Sequence, residues 1–259
     1  MELHDILKMI TDAEQAAGET IRQAHGIIAT RKSSARDVVT EYDKAVQSRL
    51  MAAIRAKLPD AHFFCEELEE EDSLDAEHVF VIDPIDGTAN FVHGLQQSCT
   101  SVAYLGGGEL KAAAIYNPYA DEMFSAVKGG GCFLNGERVS AETGSLGEVI
   151  SFFGTSPYYP ECTDRTFAIA RLLFDRSLDI RRGGSAALDL CSVAAGRAGF
   201  FYEARLSFWD YAAGALLVRE AGGTVLTEDG KELPLDGRKS SVIAGSPQAV
   251  EDFLKFTNR

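Results

Sequence analysis

His78-Val79-Phe80-Val81-Ile82-Asp83-Pro84-Ile85-Asp86-Gly87-Thr88-Ala89-Asn90-Phe91 is the stretch whose reading decides the fold. Four consecutive apolar residues, two of them Val, predict a short buried strand that ends on an acid. Pro84 cannot donate to a sheet ladder, so the strand is expected to stop there. Asp86 adds a second carboxylate, and Gly87-Thr88 suits a tight turn that opens a helix. Helix-start N–H groups favour an anion, and paired carboxylates at a strand mouth suit a divalent cation holding a phosphate. The same residues fit equally a plain strand end followed by a turn rich in Asp, Pro and Gly.

Outward from this stretch, the bulk numbers exclude several classes. The 259 residues can bury a large core, and 46% hydrophobic with 25% charged residues is ordinary for a soluble globular protein. Lys and Arg number 25 against 39 Asp and Glu, a net charge of −14 that opposes a broad basic face for nucleic acid or anionic membrane. Cys65, Cys99, Cys132, Cys162 and Cys191 are odd in number and widely spaced, without a Cys-x-x-Cys, which predicts free thiols and not a zinc site. Met1 to Ile10 mixes charges with apolar residues and lacks a signal-peptide core, and no run reaches membrane-spanning length. A cytoplasmic protein is expected.

Ile6, Ile10, Ala13, Ala17, Ile21, Ala24 and Ile28 recur at helical spacing, and Val46, Leu50, Ala53 and Ile54 predict a second helix. Thr40 followed by Asp43 resembles a capping box, which makes Asp43 a helix-start acid in preference to a direct metal ligand. Between the helices Arg31 to Asp37 is a polar, basic loop, where Lys32 reads from spacing alone as a solvated cation. Phe63-Phe64-Cys65 runs into six acids in the seven positions from Glu66 to Asp72. A solvated loop accounts for Glu69 onward. Glu66 and Glu67 abut apolar residues and could be held toward Asp83.

Ser98 to Leu134 alternates strand-like text with turn signals and predicts an antiparallel meander. Beyond it, strands are expected near 148–153, at 180–182, at 199–203, at Val225 and at 241–244. Helices are expected over 167–174, from Ser185 through Ala194, from Trp209-Asp210 through Glu220, and after Ser246-Pro247. Helices first, then a meander, then alternating helix and strand indicate a layered α/β (α+β) arrangement. One domain is expected over 1–259, with tightly packed halves of about 1–145 and 146–259. An acid in a first helical turn is ordinarily a dipole-stabilising cap, so Asp210 alone says little.

Together these segments resemble the inositol monophosphatase family of magnesium-dependent, lithium-sensitive phosphatases. Asp83 to His93 resembles one signature stretch of that family, and Trp209 to Gly214, continuing to Glu220-Ala-Gly-Gly223, resembles the other. Lys32-Ser-Ser, Asp37-Val-Val-Thr40, Cys65-Glu-Glu67 and Gly184-Ser-Ala-Ala-Leu188 fall where comparable family residues stand. The resemblance implies an αβαβα sandwich, usually a homodimer, with two or three Mg²⁺ ions per site. It implies Glu66, Asp83, Ile85 (through its carbonyl), Asp86 and Asp210 as metal ligands, with Asp83 bridging two ions. Glu66 and Thr88 would orient the attacking water, Gly87 and Thr88 amides would hold phosphate, and Asp86, Ala186 and Glu203 would face the inositol or sugar ring. Cys65 stands where the family usually has Gly, which leaves Glu67 as an alternative to Glu66. Gln96-Gln97, Gly199-Phe200 and Phe208 depart from the pattern at the rim and bear on substrate identity.

Phosphate monoesters are among the slowest substrates to hydrolyse uncatalysed, and one positioned acid or base supplies only about 10²–10⁴ of the acceleration. The five His residues do not cluster in sequence, so metal ions are expected to carry most of the charge stabilisation. All-oxygen ligands suit Mg²⁺ better than zinc. A covalent aspartyl mechanism needs Asp two positions before Asp86, where Pro84 stands. The leading expectation is a monophosphatase for inositol phosphate or a related polyol or sugar phosphate. The alternatives are fructose 1,6-bisphosphate or 3′-phosphoadenosine 5′-phosphate as substrate, or a non-catalytic regulatory protein on this fold.

Overall fold

The apolar periodicities of the chain are satisfied by five stacked layers in the computed structural model, which describes residues 1–31, 38–68 and 72–257. Lys32, Asp37 and the acids Glu69 to Glu71 fall outside the described residues. In chain order the first elements are α1 (Leu3–Arg22), β1 (Ala29–Arg31), β2 (Val38–Thr40), α2 (Glu41–Lys57), β3 (His62–Cys65), β4 (His78–Asp86) and α3 (Thr88–Val92). The meander follows as β5 (Cys99–Gly106), β6 (Glu109–Asn117), β7 (Glu122–Val127), β8 (Gly131–Leu134) and β9 (Glu137–Val139). Then come β10 (Ile150–Phe153), α4 (Thr163–Arg176), β11 (Asp179–Arg181), α5 (Ala186–Ala194), β12 (Phe200–Leu206) and α6 (Phe208–Glu220). The chain closes with β13 (Thr224–Leu226), β14 (Ser240–Gly245) and α7 (Pro247–Thr257).

A seven-stranded sheet runs in the order β3-β4-β5-β6-β7-β8-β9, with β3 parallel to β4 and the rest antiparallel. A five-stranded sheet has the order β11-β10-β12-β14-β13, with β10 parallel to both of its neighbours. Strand alternation tells each face where to pack. Phe80, Ile82, Val102 and Tyr104 meet Ile6, Ile10, Val46 and Leu50 of α1 and α2. Val79, Val81, Ala103 and Leu105 on the opposite face meet α5 and α6, which also cover Phe201, Val242 and Ala244 of the second sheet. The outer face of that sheet, Phe200, Tyr202 and Ile243, packs on α4 and α7. The result is the expected αβαβα sandwich.

Three local expectations need correction. The first helix stops at Arg22, so Ala24 lies beyond it and Ile28 is 74% exposed; the apolar spacing outruns the helix. Ala53 of α2 is exposed, leaving Val46, Leu50 and Ile54 as the buried stripe. The strand does not stop at Pro84: β4 runs to Asp86 through a bulge, with Asp83 opposite Ser101 and Asp86 opposite Cys99. Three steps on β4 thus match two on β5, and the extra residue lets a proline sit in the strand without a missing ladder bond. All five cysteines are free thiols. Among the described residues, no helix is long and apolar enough to cross a membrane.

Candidate active site

Alternation along β4 places Asp83 on the face of Val79 and Val81, toward α6, while Ile85 joins the core under α1 and α2. The bulge then returns Asp86 to the site. Asp210 comes from the first turn of α6, and carboxylate oxygens of Asp83, Asp86 and Asp210 all lie within 4.8 Å of one another. Asp83 is 2% exposed, and its Oδ1 is buried without a hydrogen-bond partner. Burial is the main force raising its pKa well above the usual carboxylate range, and the negative charges of Glu66, Asp86, Asp210 and Asp43 add to it. Asp210 is raised well above that range by burial and then by Asp86 and Glu66, against the Ser207 amide, which favours the anion. Asp86 is also raised by burial, opposed by Ser185 and by the amides at the start of α5. A buried orphan oxygen among mutually repelling, all-oxygen donors is the environment a hard divalent cation relieves.

Asp86 Oδ2 accepts the Ser185 hydroxyl and the Ala187 N–H at 2.8 Å. Asp210 Oδ2 accepts the Ser207 N–H at 2.7 Å, completing a capping box for α6. The helix-cap role and the cluster position therefore coexist in one residue. Asp43 forms the other long-helix capping box, accepting the Thr40 N–H at 2.7 Å, and its Oδ1 faces the Thr88 hydroxyl at 3.4 Å. Thr88 also donates to the Ile85 carbonyl at 3.1 Å.

A cavity of about 580 Å³ opens over the cluster. Glu66, Asp83, Ile85, Asp86, Gly87, Thr88, Ala186, Glu203 and Asp210, every site residue expected from the sequence, line it. Glu67 is not among the lining residues, and its backbone N–H donates to Gln47 Oε1 at 3.0 Å. Gly87 has φ of 84°, and a Cβ there would stand 2.9 Å from the Gln97 carbonyl, so the turn between the acids and α3 requires glycine. Glu203 is buried in the cavity wall, where Oε1 accepts the Ser156 N–H at 2.8 Å. Burial pushes its carboxyl up to about 7.

Ser156, Asp189 and Arg182 border or support this cavity without having been singled out from the sequence, and Ser185, expected there as a helix start, joins them. Ser185 carried one signal: a Ser ahead of an apolar run is a helix-cap residue, and its hydroxyl does accept the Leu188 N–H at 3.3 Å. Nothing in its spacing tied that hydroxyl to Asp86.

The acid cluster and the layered fold together define a phosphatase site, and the model of the inositol monophosphatase family matches residues 2–256. The chain belongs to that family and is a phosphoric monoester hydrolase. The Nus factor SuhB of Escherichia coli (strain K12) is 36% identical over 258 residues, covering 97% of this chain and 95% of that protein. The inositol-1-monophosphatase of Mesorhizobium japonicum is 34% identical over 259 residues, covering 98% and 96%. The solved IMPase structure from Thermotoga maritima superposes with a TM-score of 0.88 at 33% identity, covering 98% of this chain and 97% of that one.

Proposed function

We propose that the chain is a Mg²⁺-dependent monophosphatase that converts an inositol phosphate, or a closely related polyol or sugar phosphate, to the free alcohol and phosphate. The observation that carries this reading is the convergence of Asp83, Asp86 and Asp210 around the unpartnered Asp83 Oδ1. Glu66, Asp83, Asp86, Asp210 and the Ile85 carbonyl would hold the ions, with Asp83 shared. Bound Mg²⁺ would make water nucleophilic near neutral pH and offset the charge that develops on phosphate.

The chain's own groups divide the remaining work. Glu66 and Thr88 orient the attacking water. The Thr88 hydroxyl is itself placed by Ile85 and Asp43. Amides of Gly87 and Thr88 face the phosphate. Glu203, held by Ser156, accepts ring hydroxyls beside Asp86 and Ala186. The family's usual homodimer belongs to the same reading, and sedimentation of the purified chain checks it.

The Nus-factor name of the SuhB relative favours a second reading, a regulatory role on a macromolecular partner beside hydrolysis. A phosphate-release panel over inositol phosphates, fructose 1,6-bisphosphate and 3′-phosphoadenosine 5′-phosphate, with and without Mg²⁺, tests the proposal. Mg²⁺-dependent turnover, highest on inositol phosphate and inhibited by Li⁺, is the expected result. No turnover of any substrate at any Mg²⁺ concentration would leave only the regulatory reading.

A further inference from the structure

Asn90 lies in the short α3 helix, one turn beyond the acids, and is 3% exposed. Its side-chain Nδ2 donates to two backbone carbonyls: Gln97 at 2.7 Å, and Gly183 at 3.1 Å. Gln97 leads into the seven-stranded sheet, whereas Gly183 follows β11 of the five-stranded sheet, 93 residues further along the chain. The amide therefore ties together two turns that lie side by side next to the site. Their fit is close at two glycines. Gly184 has φ of 86°, and a Cβ there would stand 3.1 Å from both Nδ2 and Oδ1 of Asn90. A Cβ on Gly87 would stand 3.2 Å from Ser185 Cβ.

Two residues past the Gly183 carbonyl, Ser185 gives its hydroxyl to Asp86 Oδ2, and the Ala187 N–H reaches the same oxygen at 2.8 Å. A carboxylate oxygen taken by two donors has a fixed direction. The partners that orient a ligating carboxylate govern metal affinity without touching the metal. Asp in place of Asn90 would offer no donor to either carbonyl, and Ala would remove the donor from both.

We infer that Asn90 is a positioning residue: through the Gly183 carbonyl it holds the 183–185 turn so that Ser185 aims Asp86 at the metal. This rests on the reading of Asp86 as a metal ligand. Asn90 and Ser185 act in series, so removing either breaks the same link.

The test uses the full chain as wild type, Asn90→Ala, Ser185→Ala and the double variant. Each is titrated with Mg²⁺ by calorimetry, with thermal unfolding followed without metal. Each single change is expected to weaken Mg²⁺ binding about tenfold while the metal-free protein still unfolds cooperatively. The double variant is expected to be no worse than the weaker single, the signature of one shared path. Asn90→Ser, too short to reach both carbonyls, replaces the alanine variant if that does not fold. Wild-type Mg²⁺ affinity in the Asn90 variant, with only its unfolding temperature lowered, would overturn the inference, as would losses that multiply in the double variant. A wild-type chain that binds no Mg²⁺ would instead overturn the site reading on which this one rests.

Discussion

Two helices in this molecule begin with the same device, and only one beginning belongs to the acid cluster. At the start of α2, Asp43 turns back to the Thr40 N–H at 2.7 Å; at the start of α6, Asp210 turns back to the Ser207 N–H at the same distance. Locally the two acids are interchangeable, each satisfying a helix-start donor and complementing the helix dipole. Their tertiary surroundings differ. Asp43 spends its second oxygen toward the Thr88 hydroxyl, a positioning contact. Asp210 faces Asp83 and Asp86, with oxygens within 4.8 Å and no cation of the described residues among the main influences on it. A capping box thus fixes where an acid points, and the neighbouring elements decide whether that direction is structural or chemical.

The largest expected effect lies at the residue both helix starts surround. Asp83→Asn removes the charge proposed to bridge the ions, so kcat/KM should fall well beyond the roughly 100-fold typical of losing an outer partner. Its metal-free form should unfold no earlier than wild type, because a buried acid repelled by four others has become neutral. Steady-state kinetics with thermal unfolding checks both halves, and retained turnover would detach Asp83 from the chemistry.

Glu203 sharpens the comparison from another part of the cavity wall, where the Ser156 N–H and hydroxyl hold its carboxylate against the charges of Asp86 and Asp189. Glu203→Gln should shift the ranking among phosphorylated polyols by about tenfold, the worth of one charged hydrogen bond, while leaving the Mg²⁺ requirement alone. Its folded carboxyl sits at about 7, above the ordinary value of 4.5. In the metal-free protein its contribution to stability is therefore complete below about pH 4.5 and is lost as pH rises toward 7. The stability of Glu203→Gln relative to wild type should grow over that interval. A constant difference between their unfolding temperatures from pH 4.5 to 7.5 would contradict this.

Smallest is the difference between the two caps themselves. Thr40→Ala removes a hydroxyl that accepts the Tyr42 N–H at 3.1 Å, and should cost about 1 kcal/mol. The bond from Ser207 to Asp210 is made by a backbone amide that survives Ser207→Ala, so that variant should stay within about 0.5 kcal/mol. Urea unfolding of the pair would show whether the two boxes are as unequal as their donors.

Much of this was legible in the sequence because it is local. The run from Val79 to Asp86, the Thr40–Asp43 box and the Trp209-Asp210 helix start are each written within a few residues. Their apolar periods indicated a layered α/β arrangement, and the αβαβα order came from the family resemblance. The Pro84 bulge was not legible, since it depends on how β5 pairs opposite. Ala24 and Ile28 kept a helical spacing past the point where the helix ends. The contacts of Ser185, Ser156 and Asn90 were not legible for a related reason, although Ser185 was expected to open a helix and Asn90 stood in the first signature stretch. Each is a small polar residue whose partner is a carbonyl, an amide or a carboxylate brought in from another element, and no spacing rule reports that.

Mg²⁺ titration calorimetry of Asp210→Asn beside Asp43→Asn, with metal-free thermal unfolding of both, tests the central claim most directly. The side-chain oxygen of Asn can still accept the N-cap amide from the third helical position, so both variants should fold like wild type. Asp43→Asn should weaken Mg²⁺ binding about tenfold, as the loss of a partner outside the ligand set, whereas Asp210→Asn, the loss of a ligand, should weaken it well beyond about 100-fold. Wild-type Mg²⁺ affinity in Asp210→Asn, or equal losses in the two variants, would return Asp210 to a helix cap and contradict the account.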